Sequence, residues 1–114
     1  PAPGQVDVPL KMGLELPDPT NGRGNSAGFP VTIFFCGKQS VRNVKASISD
    51  QQGHLIRSLI STPEQPATYF TQWNTVCIIP EETLNSSSTY TVSINCIVNG
   101  KPFSKIFSFS TLAE

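Results

Sequence analysis

A chain of 114 residues fits one domain, and a domain of this size buries roughly two thirds of the surface its unfolded form exposes, so a core needs neither metal nor disulfide. Charged residues are 14% with a formal net charge of zero, against roughly 25% in typical soluble domains, which leaves nothing to steer the chain toward nucleic acid or an anionic membrane surface. No apolar run reaches the roughly 18 residues of a spanning helix, so membrane insertion is not expected.

Polar surface comes instead from 13 Ser and 10 Thr, residues that suit the exposed strand faces of extracellular β domains. In chain order, the opening Pro1-Ala2-Pro3-Gly4 makes residues 1–5 read as a linker from a preceding domain, with any targeting signal outside the given sequence. Val6 and Val8 alternate around Asp7 as a short edge strand ending at Pro9, and residues 12–16 form a second. Pro17, Pro19, Gly22, Gly24 and Gly28 then impose a long loop. Residues 29–36 (FPVTIFFC) form the most apolar run and read as a central strand, with Pro30 at its start where a missing donor is tolerated. Residues 41–49 continue the strand pattern through Val44, Ala46 and Ile48, and Asp50-Gln51-Gln52-Gly53 follows as a turn from which residues 54–60 run back antiparallel. Residues 61–74 make a second long loop carrying Pro63, Pro66, Tyr69, Phe70 and Trp73. A short strand over 75–79 is stopped by Pro80, and residues 81–83 suit one helical turn.

The last third, residues 84–111, carries the strongest pattern. Tyr90, Val92, Ile94, Cys96 and Val98 share one parity, opposite Thr91, Ser93 and Asn95, which makes a strand with one buried face. Asn99-Gly100 follows, a pair that accepts the positive φ of a type I′ turn, and Phe103, Phe107 and Phe109 supply a second inward set, completing a hairpin. Leu84 stands six residues before Tyr90. A Tyr so placed can fold its ring into the core and return its hydroxyl to backbone just upstream, a tyrosine corner capped by Leu84; the other reading is one more half-buried strand aromatic. Seven or eight short strands with no long helix predict an all-β antiparallel sandwich of Greek-key type.

Three cysteines permit one internal disulfide at most. Cys96 has core parity, whereas Cys36 and Cys77 face away from it; a Cys36–Cys77 bridge between neighbouring strands and three thiols are both open. With one His and no Cys-x-x-Cys, zinc is disfavoured.

The spacing from Leu84 to Tyr90, followed by an alternating strand, resembles fibronectin type III and bacterial immunoglobulin-like (Ig-like) domains. The close Phe107-Ser108-Phe109-Ser110-Thr111 is similar to the Phe-x-Phe-Thr-Thr ending of the bacterial modules. Glu15-Leu16-Pro17-Asp18-Pro19 and Gly28-Phe29-Pro30-Val31-Thr32-Ile33, with Pro1, Gly4, Val8 and Pro9 approximating an opening Pro-x-x-Gly-x-x-x-Val-Pro run, resemble the Ig-like domain found after CAP (cysteine-rich secretory protein) domains. The resemblance implies a bacterial source, secretion or a cell-surface location, and no catalytic residue. The three cysteines depart from the family pattern.

Chemistry is sparse. His54 follows a turn, with no nucleophile-elbow spacing to give it a serine, and the solvent-facing turn residue is the simpler reading. Glu81 and Glu82 are adjacent and would diverge on a strand. Asp50, Asp18 and Glu15 lack calcium-loop spacing, so no catalytic residue, cofactor or metal is expected. Tyr69, Phe70 and Trp73 could stack on sugar rings or anchor a partner, or could tuck beneath their loop to close the sandwich edge. Three functions follow: a non-catalytic module that supports or spaces a neighbouring, CAP-type domain of the same polypeptide; an adhesion or polysaccharide-binding module using residues 61–74 on cell-wall polysaccharide or protein; and, remotely, an enzyme.

Overall fold

A computed structural model describes residues 1–11, 27–36, 40–66 and 74–113. Seven strands are formed: β1 (Val31–Phe34), β2 (Val41–Ser49), β3 (Leu55–Ile56), β4 (Ser58–Ser61), β5 (Thr75–Pro80), β6 (Thr89–Val98) and β7 (Lys101–Ser110). They make two antiparallel sheets, ordered β1-β5-β4 and β3-β2-β6-β7, which face one another as a β-sandwich. Among the described residues there is no helix.

The longest pairing is the β6–β7 hairpin, ten residue pairs from Thr89↔Ser110 to Val98↔Lys101. Its turn has Asn99 at φ 50° and Gly100 at φ 78°, the left-handed pair that a type I′ connection requires. Asn99 also accepts the Ser40 N–H on its Oδ1 (2.8 Å) and donates its own N–H to the Ser40 carbonyl (2.9 Å), which ties the turn to the start of β2. On the inward face Tyr90, Val92, Ile94 and Cys96 are buried beside Phe109. Lys105 interrupts the aromatic set of β7 and lays its ammonium 5.9 Å from the centre of the Phe107 ring. Opposite, Val31, Val76 and Ile78 are fully buried, and Phe35 meets Phe103 edge to face at 5.2 Å.

Tyr90 lies in the core, stacked on Phe109 at 5.7 Å, and its hydroxyl accepts a 2.9 Å hydrogen bond from the Asn85 N–H. That bond is the return to upstream backbone described by a tyrosine corner. Leu84 is buried in the same cluster. Thr111 braces the other side of this loop: its hydroxyl donates to the Asn85 carbonyl (2.6 Å) and accepts the Ser88 N–H (2.9 Å).

Several expectations are corrected. Val6 and Val8 do not make an edge strand: Asp7 at φ 55° breaks the alternation, so Val6 turns out to solvent while Val8 is buried and makes a single parallel bridge to Thr111. Residues 1–5 lie against β7, where the Gly4 N–H donates to the Ser108 carbonyl (2.8 Å) and the Ser110 N–H to the Gln5 carbonyl (2.9 Å). β1 is terminal in its three-stranded sheet, and the centre is β5. Residues 54–60 are not one strand but two, β3 on one sheet and β4 on the other. Residues 81–83 make no helical turn, with bends at Glu81 and Glu82 only, and β5 runs through Pro80, paired with Ser58.

No disulfide joins the cysteines. β1 and β5 are indeed neighbours, but their register sets Cys77 opposite Thr32, so Cys36 lies four residues further along, roughly 13 Å at strand rise and beyond the roughly 7 Å that a disulfide spans. Burial pushes the Cys96 thiol up from its ordinary pKa. The expected strand over 12–16 lies outside the described residues.

Gly28 joins β5 to the segment before β1, donating its N–H to the Pro80 carbonyl at 2.9 Å. A Cβ there would come within 2.7 Å of the Pro80 Cβ and 2.8 Å of the Glu82 carbonyl oxygen. Gly28→Ala is therefore expected to destabilise the domain by about 1–3 kcal/mol, read as a lower urea midpoint with an unchanged slope.

Candidate functional site

The aromatic group Tyr69, Phe70 and Trp73 lies outside the described residues. Within them, a concavity arises from the break between β3 and β4. β2 has nine residues, yet β3 pairs with only Ile48 and Ser49 before the chain leaves for the other sheet. The reason is in the side chains of His54-Leu-Ile-Arg-Ser-Leu-Ile. Had this segment continued along β2, strict alternation would have put Leu59 on the same outer face as Leu55, which is 74% exposed. Crossing instead packs Leu59 against Ala27 and Ile79 on the outer side of β5. Two hydrogen bonds fix the crossing point: the Ser58 hydroxyl donates to the Ile56 carbonyl (3.0 Å), and the Glu81 N–H donates to the Arg57 carbonyl (2.9 Å). The Arg57 guanidinium lies 3.8 Å from the Glu81 carboxylate.

The departure leaves the first part of β2 facing a cleft of about 710 Å³, lined by Asn43, Val44, Lys45, Ala46, Ile60, Thr62, Glu64 and Gln65. A shallower depression of about 390 Å³ continues from it past Ala46 and Ile60 to Leu55 and Arg57. The pairing of β2 with β6 slips between Arg42 and Lys45, and Asn43 adopts φ 53°, so the strand is bulged at the mouth of the cleft. The Asn43 N–H turns across the cleft and donates to the Glu64 carboxylate at 2.9 Å. Glu64 is held there by a turn in which the Thr62 hydroxyl accepts the Gln65 N–H at 3.0 Å. Lys45 and Glu64 are exposed at the rim, while Val44, Ala46 and Ile60 form a half-buried apolar floor.

None of these residues stands out by type, and the reading of the sequence passes over them. A signal exists: the inward positions of residues 41–49 are Val41, Val44, Ala46 and Ile48, so one interval is three residues where a regular strand has two.

The other candidates are scattered. His54 is 79% exposed, with Nδ1 3.5 Å from the Asp50 carboxylate. Asp50 serves the turn: its Oδ1 accepts the N–H groups of Gln52 and His54, both at 2.9 Å. Glu81 faces Arg57, whereas Glu82 is exposed. Among the described residues no three His, Cys, Asp or Glu side chains are grouped to hold a metal ion, and no helix is long and apolar enough to cross a membrane. Phe34 points outward, 64% exposed, at the edge of β1. Leu84, Tyr90, Asn99 and Gly100 take part in the corner and the hairpin turn described above. The chain matches no model of a known protein family, and no curated protein matches it.

The bond from the His54 N–H, followed by that from Gln52 and the nearby imidazole, holds the Asp50 carboxyl below its usual pKa, against the opposing effect of desolvation. A carboxyl lowered in the folded state adds stability above its unfolded pKa, and that contribution disappears as pH falls through the lowered value. The stability advantage of the wild type over Asp50→Ala is therefore expected to be constant at neutral pH and to vanish in acid, below the ordinary carboxylate range, in denaturation series run at stepped pH.

Proposed function

We propose that this chain is a non-catalytic, extracellular Ig-like accessory module that supports or spaces a neighbouring domain of the same polypeptide. The sheet orders support the Ig-like reading: β1-β5-β4 and β3-β2-β6-β7 correspond to strands B-E-D and C′-C-F-G of such sandwiches, and Tyr90 stands at the start of the F strand. The observation that carries the supporting role is the seating of the opening residues. Val8 donates its N–H to the Ser110 carbonyl and accepts that of Leu112, both at 3.0 Å, so the segment that would lead in from a neighbour is part of the hydrogen-bonded body instead of a swivel. On the resemblance of residues 15–19 and 28–33 to domains that follow CAP domains, the neighbour is of CAP type and the location is the bacterial cell surface or medium.

The test is co-sedimentation of the purified domain with insoluble cell-wall polysaccharide, wild type beside Trp73→Ala. The supporting role predicts that neither protein pellets above a bovine serum albumin control. Saturable pelleting of the wild type, lost in Trp73→Ala, would replace it with the polysaccharide-binding reading.

A further inference from the structure

The cleft beside β2 has features that a supporting role does not use. In an antiparallel ladder, alternate residues direct their N–H and C=O groups to opposite sides of the strand. The Asp50 N–H donates to the His54 carbonyl on the β3 side, and Ile48 pairs with Ile56 there, so Ala46 has the same parity and aims its backbone groups at that side. Among the described residues no strand pairs with Ala46 on this side, because the chain has crossed to β4. The bulge at Asn43 turns its N–H the same way, and there the chain supplies an acceptor of its own, the Glu64 carboxylate at 2.9 Å. The edge of β2 is thus open over one strand step, bounded by the apolar Val44, Ala46 and Ile60.

We infer that this cleft takes a single extended peptide segment, added to β2 through the Ala46 N–H and C=O, with acidic side chains toward Lys45 and Arg57. Shape argues for a single strand over a second copy of the chain: the edge opens into a cleft walled by Ile60, Thr62 and Gln65, which the rim of another folded sandwich would have to enter. The other long edge is closed to such use. On β7 the opening residues already occupy Ser108 and Ser110, and the remainder carries Lys101, Pro102 and Lys105, the devices by which edges resist pairing. Charge argues for an acidic segment. Lys45 and the 87% exposed Arg57 side chain, which also lies 3.8 Å from the Glu81 carboxylate, flank the open stretch, and among the described residues lining the main cleft the carboxylate is that of Glu64, turned onto the Asn43 N–H. Main-chain bonds would give such a segment its affinity, and the side chains over the Ala46–Ile60 floor its selectivity.

The test uses ¹⁵N-labelled domain and two pools of end-blocked pentapeptides, with Glu or with Lys fixed at positions 2 and 4. The expected result is shifts at the Val44, Lys45, Ala46 and Ser47 amides with the Glu pool, and slowed hydrogen exchange at Ala46. Lys45→Glu, at an exposed position, should weaken the effect on the order of tenfold. Ala46→Pro should abolish it while leaving thermal unfolding cooperative, since the donor it removes faces the edge. Absence of shifts in the cleft with both pools, equal shifts with both, retention of the shifts in a folded Ala46→Pro, or the same shifts from a polygalacturonate oligosaccharide would overturn the inference.

Discussion

One hydroxyl accepting one backbone N–H, Tyr90 to Asn85, stands where the structure's separate parts meet. The ring beneath that hydroxyl is stacked on Phe109 and so joins β6 to β7 inside the core. The loop it restrains is held from the other side by Thr111, and from below by the Leu84 N–H donating to the Leu10 carbonyl at 2.9 Å. N-terminal segment, 84–88 loop and the end of β7 therefore meet within one hydrogen-bonded knot. A small sandwich whose cysteines form no disulfide depends on packing and on full pairing of its buried polar groups, and no buried side-chain polar atom among the described residues lacks a partner.

Much of this was legible in the residues because local signals and burial agree there. From Tyr90 to Phe109 the alternation, the Asn99-Gly100 turn and the corner spacing all specify the same register, and β2 and its Asp50–Gly53 turn are equally consistent. Legibility ends where a choice is made by distant partners. Leu55, Ile56, Leu59 and Ile60 suit one strand as well as two, and only the surface offered by Ile79 and Ala27 decides that the chain crosses at Arg57. Apolarity likewise misplaced β1: Val31 and Ile33 face inward as alternation requires, yet an edge strand can be as apolar as a central one when its inner face is covered. The single φ of 55° at Asp7 overturned the opening strand.

The cleft was missed for the same reason. Its polar lining is built from Asn43, Lys45, Glu64 and Gln65, ordinary surface residues whose grouping depends on the strand crossing and on the β2 bulge. Sandwich domains commonly place function on loops at their ends, and the binding reading of residues 61–74 rests on the aromatic cluster Tyr69, Phe70 and Trp73. Among the described residues the open backbone lies instead along a strand flank, at a place the fold creates by routing one segment across two sheets.

The most direct measurement is urea denaturation of Tyr90→Phe beside the wild type. If the Tyr90 hydroxyl holds the corner as described, the variant stays folded, keeps the same slope and loses about 1–2 kcal/mol, because the Asn85 N–H is left without its acceptor. An unchanged midpoint would contradict the account: the corner would then be incidental, and the sandwich would rest on the packing of its two sheets alone.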